Sequence, residues 1–477
     1  MRKKPVDIIS NLFYYILILL YSFLFTVLSP IIFFVFIFLK NMRKKVLFRF
    51  FPFYKKKRID HNEKDERNKN KILVHVSSAG EASLAYNLFK NFVDYSFFND
   101  AAYLLLRQKK VESYPLPFES LISLTIFFVS KKYETVILVE QEIWPLFITF
   151  AKIFKIKLIM INCNMYDRSF DSQIKLRFIY KKLFGYFDKI YARSDIDKKR
   201  LLSINKYLNV EVTENLKILS SFISSKIIQL NFDKFSLRYN IKDSIEFKNP
   251  DNSSILNKRN LVLIFASIHS EEFDILVDSM EILQNNLKKK LIIFFVPRYL
   301  QNINILKKKL SEKNFKFITL SEMENKKSFK KNTNDYIYDL ILNISSSEDN
   351  TIGTVLIDRF GLLSELFKYG DISIVGGTFN NKGGQNFIEP LIYGVPAVIG
   401  PSYDNFSDLA AYFQDDELFK IDKKSTDFLY AQDIASTISL IDKNIDNIKQ
   451  KLKLRVIQLL KIAEKQVKMI EKLYINF

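Results

Sequence analysis

Short, largely apolar runs, each followed by a polar or glycine-rich turn and then a helical pattern, recur along this chain, and they restrict it to a narrow set of folds. Strands fit Ile72 to Val76, Thr135 to Val139, Leu158 to Ile161 and Lys189 to Ala192, and then again Leu261 to Ala266, Leu291 to Val296, Ile372 to Val375 and Ala397 to Ile399. Runs of this kind, apolar on both faces and alternating with helices, predict an α/β chain built on doubly wound parallel sheets. At 477 residues the chain is long enough for two such domains and an appendage. The expected organisation is an N-terminal segment over 1–58, a first Rossmann-like domain over 70–230, a polar linker over 231–260, a second Rossmann-like domain over 261–445 and a C-terminal helix over 446–477. Asn325 to Thr333 and Ser345 to Thr351 read as surface loops. In sheets of this type ligands sit at the carboxyl ends of the strands, so two of them imply a cleft.

Ahead of the first domain, Ile8 to Leu39 carries no charged residue, which exceeds the roughly 20 residues that a helix needs to cross a bilayer. The run predicts a membrane anchor, split by Pro30 into a spanning helix and a shorter piece, or a re-entrant hairpin. A signal peptide would show a shorter apolar core and a small-residue cleavage site. Lys40, Arg43, Lys44, Lys45 and Arg49 follow the run, against Arg2, Lys3 and Lys4 before it, and this bias places the body of the protein in the cytoplasm. With Lys55 to Arg58 they form a patch suited to anionic headgroups. The net charge of +20 points either to an anionic membrane surface or simply to compositional drift in a chain rich in Lys, Asn, Ile and Phe. Nucleic acid is disfavoured, because the basic residues gather beside an apolar run and lack interleaved aromatic platforms.

The candidate site residues follow the strands. Val375 to Gly400, VGGTFNNKGGQNFIEPLIYGVPAVIG, joins a strand to glycine turns and a helix start, an arrangement that can hold phosphate on free N–H groups and ribose on Glu389. Glu81 follows the first strand in SSAGE, where it is either a helix-start carboxylate or a general base. Glu140 and Glu142 follow the second strand beside Trp144, Ser267 and His269 follow the fifth, and Pro297 and Arg298 follow the sixth, from where Arg298 could clamp a phosphate. One cysteine, Cys163, allows no internal disulfide. Three scattered histidines without CxxC or HExxH predict no metal site.

Taken in order, HVSSAGE, VEQEIWP, Asn215 to Lys217, ASIHSEE, VPR, Asp358 to Gly361, VGGTFNNKGGQNFIEP and YGVPAVIGPSYDNF resemble the 3-deoxy-D-manno-octulosonic acid (Kdo) transferases of lipid A glycosylation. The resemblance covers Val74 to Phe406. It implies a GT-B glycosyltransferase of two Rossmann-like domains facing a cleft behind a membrane anchor helix, with CMP-Kdo as donor, a lipid A precursor as acceptor, and neither metal nor cofactor. By the same resemblance Glu81 is the proton acceptor, while Glu140 and Lys217 stabilise the transition state. CMP falls to Pro297 and Arg298, to the turn Phe360, Gly361 and Leu362, and to Asn386, Phe387, Ile388 and Glu389.

The chain departs from the family pattern at several of these positions. Gln385 stands for the family's His in the GGHN turn, Leu362 for the Glu of its GEL turn, Tyr299 for the His after PR, Glu214 for the Gly before NLK, and Asn164 for the Arg of NAR, although Arg168 and Ser169 remain. The segment between Glu81 and Tyr114 is short for the family. A membrane-bound GT-B transferase using another nucleotide sugar, and a non-catalytic descendant that binds lipid A or nucleotide, stay open as alternatives.

Overall fold

A computed structural model describes residues 5–38, 71–233, 236–241, 260–287, 289–325, 336–345 and 353–475. The basic patch of Lys40 to Arg58, the polar stretch up to Asn70, residues 242–259 of the expected linker and most of the two expected surface loops lie outside these residues.

Strands β1 (Ile72–Val76), β2 (Asp94–Phe97), β3 (Ser113–Pro115), β4 (Thr135–Val139), β5 (Lys157–Cys163), β6 (Lys189–Ala192) and β7 (Val210–Val212) form one seven-stranded sheet of order β3-β2-β1-β4-β5-β6-β7. Every pairing in it is parallel. The central strands are buried on both faces, and Phe127, Phe147 and Phe184 on the covering helices close over Val136, Leu138, Leu158 and Met160. The expected linker begins instead with a two-stranded sheet, β8 (Ile228–Asp233) and β9 (Ser236–Ile241). Strands β10 (Asn260–Ile268), β11 (Lys290–Pro297), β12 (Phe317–Thr319), β13 (Gly353–Leu356), β14 (Ile372–Val375), β15 (Ala397–Ile399) and β16 (Leu418–Lys420) form a second seven-stranded sheet of order β12-β13-β11-β10-β14-β15-β16. It too is parallel throughout. Ile264, Ile292, Phe294, Leu340 and Phe367 lie in its core.

The chain divides into two compact units, Met1–Ser220 with Leu230–Tyr239 and Glu464–Phe477, and Ser221–Gln229 with Asn240–Ala463. The C-terminal helix Ile445–Ile475 thus begins in the second unit and ends in the first.

The charge-free run forms one helix, Pro5–Phe38, and the expected break at Pro30 is absent. A proline removes one backbone donor from a helix, and the helix runs on through Pro30 despite that loss. The helix counts with the first unit, and one of its faces is spent there. Tyr14 is 1% exposed and its hydroxyl lies 3.2 Å from that of Thr149, while Tyr21 donates to Glu119 at 2.7 Å. Leu19 and Phe23 remain exposed on the other side. Among the described residues no helix is long and apolar enough to cross a membrane.

Glu119 is 6% exposed and also accepts the N–H groups of Leu146 and Phe147 at 2.8 and 3.1 Å. These open the helix Pro145–Ile153, whose own N-cap residue, Trp144, makes no side-chain cap. One carboxylate therefore caps that helix from outside and receives the N-terminal helix as well.

Candidate active site

In a parallel sheet all carboxyl ends share one edge, so turns distant in sequence converge. In the first unit β1 and β4 pair with His75 opposite Leu138, which sends the turn to Glu81 and the loop from Glu140 off neighbouring strands. Ser78 caps the helix Ala79–Phe89 by accepting from the N–H of Glu81 at 3.2 Å. The Glu81 carboxylate folds back to accept from the Ser77 N–H at 2.7 Å and the Ser78 hydroxyl at 2.8 Å. Burial and then the charge of Glu140 push its pKa up to about 8. Glu81 is thus both a helix-start carboxylate and an acid that exchanges its proton near neutrality.

Glu140 sits at φ +60°, in the left-handed region that costs an L residue about 1–2 kcal/mol. Its N–H bonds to Ile161 O at 2.9 Å, and its Oε1 lies 3.9 Å from Lys217 Nζ. Lys217 opens a helix whose approach is pinned from two sides. Asn162 Oδ1 accepts the Leu216 N–H at 2.9 Å. Gln466, 1% exposed on the C-terminal helix, donates to Thr213 O and Asn215 O at 2.9 and 3.0 Å and accepts from Leu219 N–H at 3.1 Å. The structure therefore brings Glu81, Glu140 and Lys217 together. The positive φ of Glu214, +59°, explains why the pattern it departs from has glycine there. Left-handed φ values at Glu140, Asn162, Glu214 and Ser267 all fall at strand ends, where backbone strain marks functional turns.

In the second unit β10 and β14 pair up to Ala266 and Val375, and their turns leave side by side. Gly376 is required there, since a Cβ would meet Ser267 O at 2.5 Å. Glu272, fully buried, accepts from the N–H groups of His269 at 2.9 Å, Gly377 at 2.9 Å and Phe379 at 3.1 Å, and so ties the β10 turn to the glycine turn. Burial raises its pKa against these three donors. His269 Nε2 lies 3.3 Å from Gln385 Nε2, and the Tyr299 ring stands edge-on to it with centroids 5.6 Å apart. The departures at Gln385 and Tyr299 thus meet on one imidazole, whose pKa burial lowers from its ordinary value.

Asn386 donates to Ser221 Oγ at 3.1 Å and Glu389 Oε1 at 3.2 Å. Burial, opposed by Asn386 and by the charge of Arg298, brings Glu389 to a pKa of about 7. The helix Ile388–Ile392 spans only 5 residues, and one of the N–H groups at its start, that of Ile388, is taken by Asn386 Oδ1 at 3.1 Å. Phe387 and Ile388 are fully buried, which leaves only their backbone to face a ligand. Pro297 is buried at the end of β11, and the Arg298 side chain is exposed beside it. After β13, Phe360 is exposed, Gly361 takes φ +93° with open space around it, Leu362 precedes the helix Leu363–Phe367, and Asp358 Oδ1 is buried with no partner among the described residues. No group of three or more His, Cys, Asp or Glu among the described residues could hold a metal ion.

Sequence reasoning missed the supports. Glu272 lay inside a motif already singled out, whereas Gln466 sits in a helix without any local signal. Glu119 lies between two patterns and carried none.

Residues 51–220 match the family model of the 3-deoxy-D-manno-octulosonic-acid transferases. A 3-deoxy-D-manno-octulosonic acid transferase of Aquifex aeolicus is 28% identical over 78% of this chain and 85% of its own length. One of Rickettsia bellii is 26% identical over 82% and 84%. A bifunctional glycosyltransferase/methyltransferase of Fusobacterium nucleatum is 26% identical over 77% of this chain, which spans about half, 54%, of that relative. Among solved structures, a glycosyltransferase from Rickettsia africae superposes with a TM-score of 0.45 at 12% identity, covering 85% of this chain and 98% of that one. The C-terminal CMP-Kdo binding domain of an Acinetobacter baumannii protein superposes with a TM-score of 0.32 at 19% identity, covering 44% and 93%.

Proposed function

We propose that this chain is a member of the Kdo transferase family, an inverting GT-B glycosyltransferase that moves Kdo from CMP-Kdo to a lipid A precursor. The observation that carries the reading is the convergence of Glu81, with a pKa of about 8, on Glu140 and its partner Lys217. Glu81 takes the proton of an acceptor hydroxyl as that oxygen forms its bond to the anomeric carbon of Kdo. The bond from that carbon to the phosphate oxygen breaks on the opposite face, and CMP leaves with the electron pair. A base with a pKa close to the working pH is well matched to this transfer. Arg298 offsets the charge that grows on the leaving phosphate, and Lys217 offsets charge at the reaction centre.

Pro297, Arg298, the Phe360 to Leu362 turn and Asn386 to Glu389 hold CMP, with Glu389 on the ribose and the two buried residues of that stretch contributing backbone. No cofactor or metal takes part. The chain works at the cytoplasmic face of the inner membrane, attached through the exposed apolar face of the helix Pro5–Phe38.

The test is Kdo transfer to a lipid A precursor by detergent-extracted protein, with CMP-Kdo generated in place, for the native chain and Glu81→Gln. Turnover that collapses in the variant supports the reading. No turnover by the native chain, with CMP still bound, refutes it.

A further inference from the structure

The first unit contains a cavity of about 460 Å³ between the loop after β4 and the helices Asp167–Lys175 and Arg177–Phe184, within the size range of small-molecule sites. Its walls include Trp144, Tyr180, Gln141, Glu142, Arg168 and Ser169. Two aromatic side chains with an amide, a carboxylate and a hydroxyl are the chemistry that binds a sugar ring. The polar groups are fixed in advance. Trp144 Nε1 donates to Glu142 at 3.0 Å, and the Gln141 amide donates to Gln173 Oε1 at 3.1 Å.

The guanidinium of Arg168 adds a charge. Arg200, across the same loop, is committed to Asp167 and to the carbonyl of Met165. Arg168 has no ion-pair partner among the described residues and stands exposed at the rim, able to take a phosphate in a two-pronged grip. The opposite wall leads to the reaction centre, since Glu142 bonds to Ser77, whose N–H holds Glu81.

We infer that this cavity is a subsite for a phosphorylated sugar ring, with Trp144 and Tyr180 against the ring and Arg168 on the phosphate. Resting on the transferase reading, it is the place where the acceptor headgroup docks so that one hydroxyl reaches Glu81.

Trp144 is the only tryptophan in the chain, so its fluorescence reports occupancy without any turnover. Titration of the full-length protein with glucosamine 1-phosphate should give a saturable change at about tenfold lower concentration than glucosamine. Arg168→Gln should erase that tenfold preference and keep the response to glucosamine. Equal responses to the two ligands, no saturable response, or an unchanged preference in the variant would each overturn the assignment.

In the transfer assay, glucosamine 1-phosphate should compete with the lipid acceptor. Arg168→Gln should raise KM for the phosphorylated acceptor about tenfold, with kcat and KM for CMP-Kdo unchanged. A saturable site that does not compete with the lipid would belong to a free sugar phosphate and would refute the acceptor assignment. If Kdo transfer itself is not found, the fluorescence titration still decides whether the cavity takes a phosphorylated sugar.

Discussion

Glu81 and Glu272 hold equivalent places in the two halves of the chain. Each follows the strand that opens its sheet, lies three residues beyond a capping residue and folds its carboxylate back onto the turn. The difference lies in what each is given to bond. Glu272 is fully buried and receives three backbone N–H groups from two turns. Glu81 keeps 7% of its surface and receives one backbone N–H and one hydroxyl, with a second carboxylate close enough to repel it. The same local motif is saturated with donors at Glu272 and left short of them at Glu81, the proposed base.

The sharpest way to break this contrast is substitution by the neutral isostere. Glu81→Gln should lower kcat by roughly a hundred- to ten-thousandfold, the usual share of a general base. It should leave the melting temperature at pH 8 equal to or above that of the native chain. The native state holds a proton on Glu81 that the unfolded chain, at the ordinary carboxylate pKa, gives up. Stability from this group is therefore full at acid pH and declines as pH rises towards about 8, and the variant escapes that decline. By the same sign, kcat/KM of the native enzyme should climb with pH and level off above about 8, a limb that the variant lacks.

Glu272→Gln should do the opposite. An amide set against backbone donors leaves buried N–H groups unmet, at about 2–3 kcal/mol, so the denaturant midpoint should fall and CMP affinity should fall with it. Gln466→Ala strips three backbone groups of their partner near Lys217 and should cost about 1–3 kcal/mol, read in the same melt. The smallest effect is expected from Glu214→Gly. Relief of about 1–2 kcal/mol of left-handed strain is set against about 0.5–1 kcal/mol of extra chain entropy. The midpoint should hold or rise slightly, and a clear loss would show that the Glu214 side chain matters more than its backbone.

What could be read in advance follows the same logic of burial. Interior strands β1, β4, β5 and β6, and β10, β11, β14 and β15, are apolar on both faces and announce themselves. The outer strands β2, β3 and β7, and β12, β13 and β16, are short, and β2, β7 and β13 also carry Asp94, Ser96, Glu211 or Thr354, so their pattern fades into the loops around them. Catalytic candidates were legible because they sit in motifs at the ends of legible strands. Their supports were not. Gln466 reaches Leu219 across 247 positions of sequence, a relation that no local window contains.

The bond from Tyr21 to Glu119 bears on how this chain could be handled. An apolar leading segment is the first part of a protein to be cut away when soluble material is wanted. Here the cut would take Tyr14, Ile18 and Tyr21 off the core they cover and strip a buried carboxylate of its hydroxyl donor. The shortened chain would trade one greasy surface for another, and the loosened end would be the helix that follows Trp144.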